Sequence, residues 1–192
     1  MNSPIVATNN SRSTITATVG FMCWALMFWM LSMSHAGWYT HTFAHGIALL
    51  MPLSVLLAIM GILSFIDLHA LDAVIFFGGA GLFWSVHASL MGGAAHGGAA
   101  EPVSYVGWYA IVWAVYFFYI WLGHFRGQLV RMLFLLGAWL SLLALAISAW
   151  GLGHVLMLIG GYLGLATAVL AAIISASTIM GRGPGVMSAG GT

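Results

Sequence analysis

The sequence predicts an all-α membrane protein of six transmembrane helices with both termini cytoplasmic. Three observations carry this prediction. The 192 residues hold three acidic side chains, four arginines and no lysine, and 62% of the chain is hydrophobic. A soluble domain carries charge on roughly a quarter of its residues, whereas here the fraction is 4%, so no face of the molecule is equipped to meet water. The apolar residues fall into six runs, each close to the roughly 20 residues that cross a bilayer core. Six spans also bring all four arginines to one side.

Residues 1–13 are polar, rich in Asn and Ser, and read as a cytoplasmic tail without the cleavage pattern of a secretory signal. The six-helix domain covers 14–180, and residues 181–192 form a second cytoplasmic tail. The first span runs from Ile15 to Met33, and the next five are His45 to Ile66, Ala73 to Leu90, Val103 to Leu122, Met132 to Trp150 and His154 to Ile179. Each must be a helix, because lipid offers no partner to an open backbone N–H or C=O. The connections are short and collect the polar residues.

Arg12 precedes the first span, Arg126 and Arg131 lie between the fourth and fifth, and Arg182 follows the sixth. By the positive-inside rule that side is cytoplasmic, which makes this a multi-pass protein of the inner membrane. The other side carries His35, His41, His45, His96, Glu101 and His154, with Trp38, Tyr39, Trp108 and Trp150 at headgroup level.

Several function classes are excluded. Near-zero net charge leaves no basic footprint for nucleic acid. Without lysine no Walker A motif exists, and no nucleophile, base and orienting acid are grouped as an enzyme would need. Cys23, the single cysteine, permits neither an internal disulfide nor a CxxC motif and reads as a small packing residue.

The remaining chemistry is sparse. His87 is the clear ionisable group inside a span, about 22 Å along the third helix from Asp72 at 1.5 Å per residue. It reads first as a neutral imidazole bonded to a neighbouring helix and second as a proton- or permeant-contacting group. His41 and His45, four apart, would share a helix face; interfacial solvation is their first reading and metal binding the alternative. No metal or other cofactor is otherwise expected. Asp72 suits the cap of the third helix. Thr16, Thr18 and Ser85 are hydroxyl candidates that also bond back to their own helices. Glycines at 78, 79 and 81 and at 160, 161 and 164 suit close helix contact, and the first group would also leave space for a permeant.

The third helix carries Phe77-Gly78-Gly79-Ala80-Gly81-Leu82-Phe83-Trp84; the fourth runs from Val106-Gly107-Trp108-Tyr109 to Trp121-Leu122-Gly123, followed by Arg126-Gly127; the sixth contains Gly160-Gly161-Tyr162-Leu163-Gly164-Leu165. In this order the landmarks resemble the acetate uptake transporter family, the bacterial succinate and acetate permeases of the YaaH type. The similarity spans nearly all six helices and is looser in the first two. The family's N-terminal Asn-Pro-Ala-Pro-Leu-Gly-Leu signature is replaced, and only the following Gly20-Phe21 is kept.

The resemblance implies a channel or transporter for a small solute, acetate or a similar short carboxylate, with or without a proton. It also implies a homo-oligomer, a hexamer with one pore per protomer. The family's narrowing of Phe, Tyr and Leu on the first, third and fifth helices maps to Phe21, Ala80 and Ala138. Two side chains cut back to methyl groups would widen the passage or move the constriction to Trp84 or Trp139. The alternatives are a urea or short-amide channel and a metal- or haem-binding structural subunit of a membrane complex.

Overall fold

In a computed structural model the chain forms six helices and no strand among its described residues, which are 4–38, 44–95, 103–124, 128–151 and 153–180. The helices are α1 (Pro4–His35), α2 (Ala44–Ile66), α3 (Ala70–Ala95), α4 (Val103–Gly123), α5 (Leu129–Ala149) and α6 (His154–Ile179). All six are long and apolar enough to cross a membrane. The fold is that of a multi-pass membrane protein.

The spans begin and end close to the hydropathy boundaries except at α1. That helix starts at Pro4, eleven residues before the apolar run at Ile15, so part of the polar tail is helical. Proline suits a first helical position because its missing N–H is one the helix end would leave unpaired. The part of α1 apolar enough to span begins at Arg12.

The helices close into a ring in chain order: α1 packs on α2 and α6, α2 on α3, α4 on α5 and α5 on α6, with α3 and α4 meeting at the loosest seam. Helices α1 and α6 are antiparallel. Gly161 near the start of α6 lies against the backbone of His35 and Ala36 at the end of α1, while Ser175 near the end of α6 donates a hydrogen bond to the Thr18 carbonyl at 2.9 Å. The described ends of the chain therefore share one face of the bundle.

Small residues set these distances. Ser141 of α5 donates to the Gly160 carbonyl at 2.7 Å, and a Cβ at Gly164 would collide with Ser32 of α1. The small face of α6 is thus consumed within the chain, where it fixes α6 against α1 and α5. On α3 each of three glycines receives an aromatic ring. Gly78 receives the ring of Tyr116, Gly81 that of Trp113, and Gly79 the indole of Trp24.

The large exposed apolar residues lie on every helix, as on a lipid-facing surface. The core runs down the axis between α1, α3 and α5, and its largest fully buried side chains are aromatic.

Candidate functional site

Because α1, α3 and α5 run in the same direction, residues one turn apart on each build successive layers across the axis. Phe21, Phe76 and Phe134 form the first. Phe21 meets Phe76 edge-on at 5.2 Å between ring centroids and Phe134 at 5.7 Å. One turn on, Trp24 of α1 stands in register with Ala80 of α3 and Ala138 of α5. Its indole contacts Phe134, Phe83 and Phe117, each with centroids 5.3 Å away. A further turn brings Phe28 edge-on to Phe83 at 5.9 Å. Edge-to-face aromatic pairs each add about 0.5–1.5 kcal/mol beyond area burial, so the axis is held by a coherent aromatic plug.

The structure brings Phe21, Ala80 and Ala138 into this one core, with Phe21 and Ala138 fully buried. Both alanines are buried among the rings of this core. Trp24, fully buried, lies against the bare backbone at Gly79, where a Cβ would stand 2.5 Å from its Cε2. Trp84 does not join the plug. It is 47% exposed on the outer surface of α3, because the next helical position after buried Phe83 is turned by about 100°. Trp139 packs on α4 against Phe118 and Trp121.

The close packing of this core makes a prediction. Ala138→Leu inserts three carbons into a site with no exposure, and overpacking of this kind costs about 1–3 kcal/mol. The expected result is a lower melting temperature in detergent that is recovered when Trp24→Ala is added. Equal destabilisation with and without the second change would show that the two residues do not share a layer.

An ion pair closes one end of the plug. Arg131, in the first turn of α5, donates from both terminal nitrogens to the two carboxylate oxygens of Asp72 in the first turn of α3, at 2.8 and 3.4 Å. The side chains retain 17% and 6% of their exposure. The guanidinium carbon also lies 5.3 Å from the Phe21 ring centroid, a cation–π distance. Asp72 is inside the first turn of α3, at the positive end of the helix dipole, and its carboxylate also serves Arg131. Nearby at this end, Arg12 pairs with Asp67 at 3.6 Å, 46% and 14% exposed, a contact worth little energetically. Every described Asp and Arg thus lies at one face of the bundle. His124, just after α4, has its basicity lowered by burial and then by the Arg131 charge, which Asp72 opposes.

The remaining candidates are apart from the plug. His87 is half-buried towards the other end of α3. The Thr16 hydroxyl bonds back to the Arg12 carbonyl at 3.0 Å, and Ser85 bonds to the Leu82 carbonyl at 2.9 Å and to the hydroxyl of Tyr109. The Thr18 hydroxyl is buried without a partner. His41 lies outside the described residues, as do His96, Glu101, Arg126 and Arg182, and of His45 only the backbone is described. Among the described residues no three His, Cys, Asp or Glu side chains are grouped to hold a metal.

Two members of the site were not singled out in the sequence for their places in it: Trp24, and the Asp72–Arg131 pair, 59 residues apart. For Trp24 a signal existed, since it is the bulky residue one turn beyond Phe21.

Six membrane-crossing helices closed around an aromatic axis define a fold class, and comparison with solved structures places it. The chain is similar to a bacterial acetate channel, SatP, with a TM-score of 0.82 and 15% identity, covering 87% of this chain and 92% of that one. No family model matches the sequence, and no curated protein matches it. The likeness is therefore one of fold.

Proposed function

We propose that this protein is a channel or transporter that passes a small solute along the axis of each protomer, and that the solute is acetate or a similar short carboxylate, with or without its proton. The observation that carries the reading is the aromatic plug between three parallel helices, sealed at one end by Arg131 and Asp72. The fold shared with an acetate channel supports it. Apolar rings exclude a fully hydrated ion, so a carboxylate passes either partly dehydrated against the few available donors or neutralised by a proton.

In this reading the face bearing Arg12 and Arg131 is cytoplasmic, the membrane is the inner one, and the protein performs permeation without chemical turnover. The assembly is a homo-oligomer, a hexamer with one path in each protomer. The loose α3–α4 seam, with an open apolar groove of about 300 Å³ lined by Phe77, Gly78, Val112, Trp113 and Tyr116, gives such an assembly a surface to cover.

Uptake of radiolabelled acetate and urea into proteoliposomes at two pH values tests the reading. Acetate uptake that exceeds urea uptake and responds to pH is expected. Urea uptake with no response to the acetate gradient would replace the carboxylate by a neutral amide, and uptake of neither would remove the channel.

A further inference from the structure

The plug contains a hydrogen-bond donor with nothing to bond. The Trp24 side chain is fully buried, and its Nε1–H has no partner. A buried donor left unpaired costs roughly 1–3 kcal/mol, and in lipid no water enters to relieve it. Its surroundings are the rings of Phe28, Phe83, Phe117 and Phe134 and the bare backbone at Gly79, where a Cβ would stand 2.7 Å from Nε1. An apolar residue of similar shape would fill this site at lower cost.

A second unpaired donor lies on the other side of the Phe21 ring. Arg131 spends its terminal nitrogens on Asp72 and leaves its buried Nε–H without a partner. By helical register Arg131 precedes Phe134 by one turn and Trp24 follows Phe21 by one turn. The two open donors therefore bracket the Phe21 ring along the axis.

We infer that the Nε1–H of Trp24 is the hydrogen-bond donor that receives a carboxylate within the plug, after the carboxylate leaves the neighbourhood of Arg131. This deepens the carboxylate channel proposed above and rests on it. The permeant supplies the acceptor that the protein withholds, which favours carboxylates over solutes that only donate. A hydrogen bond to a charged group is worth about twice a neutral one, so its removal lowers acetate passage roughly tenfold or more.

Installing 3-benzothienylalanine at position 24 tests the inference, because sulfur replaces the N–H and the shape of the ring system is kept. Proteoliposomes with this variant should take up acetate at least tenfold more slowly than the wild type. In parallel, a 15N-tryptophan sample should show one indole N–H resonance, assigned to Trp24 by its loss in Trp24→Phe, that moves downfield as acetate is titrated. Wild-type uptake that the sulfur variant matches, with an indole signal indifferent to acetate, overturns the donor and leaves the channel standing. Absence of carboxylate uptake by the wild type removes both. Slower uptake with an unmoved indole signal also overturns the donor, since the ring would then act through packing alone.

Discussion

Asp72→Ala should destabilise the protein by about 3–5 kcal/mol, the range for removing one partner of a buried ion pair. Arg131 would keep its charge in a position with 17% of its side-chain exposure, over the Phe21 ring and close enough to His124 to lower its basicity, with no partner carboxylate to answer it. The loss comes from stranding this charge more than from the attraction forgone. Asp72→Leu combined with Arg131→Met should therefore recover most of the stability, since two apolar side chains replace a pair whose desolvation nearly offset its attraction. Thermal unfolding in detergent, followed by circular dichroism, separates these outcomes. If the double variant is as unstable as Asp72→Ala, the pair contributes by its geometry and not by charge compensation.

Gly161→Ala is the second large effect expected. The new methyl would meet the backbone nitrogen and Cα of Ala36 and the carbonyl carbon of His35, all within 3.0 Å. Backbone atoms cannot rotate away as a side-chain tip can, so α1 and α6 must separate along an interface that Gly164 and Ser32 hold equally close. Overpacking in a tight core costs about 1–3 kcal/mol, and here the strain falls on helix placement. Gly123→Ala is the contrast. Nothing lies within 4 Å of a Cβ there, so alanine should be neutral or slightly stabilising, by up to about 1 kcal/mol from helix propensity. A Gly161→Ala protein as stable as the wild type would mean that α1 and α6 are farther apart than described.

The six spans were legible because each must hide its backbone and expose apolar side chains, and both demands write themselves into hydropathy. The boundaries of α4 and α6 were readable at their first residues for that reason. The start of α1 was not, since a helix that continues into polar residues such as Asn9 and Asn10 leaves no hydropathy signal. The candidate site was legible only in part. Phe21, Ala80 and Ala138 could be named from a resemblance, but the side chains that surround them could not, because which rings fill the axis depends on contacts between helices distant in sequence. Trp24, packed between Phe83, Phe117 and Phe134, is the example. Likewise Asp72 and Arg131, each readable alone as a cap and an anchor, acquire their role only when α3 and α5 are set side by side.

The central claim is that a small carboxylate crosses the protomer along the axis occupied by Phe21. Acetate flux through Phe21→Ala, compared with wild type in the same proteoliposomes and scaled to folded protein, tests it most directly. Phe21 lies under the Arg131 guanidinium and contacts both Phe76 and Phe134, so its removal should open the plug and raise flux severalfold with reduced discrimination by solute size. Flux and size selectivity identical to wild type would contradict the account and put the route, if there is one, outside this axis.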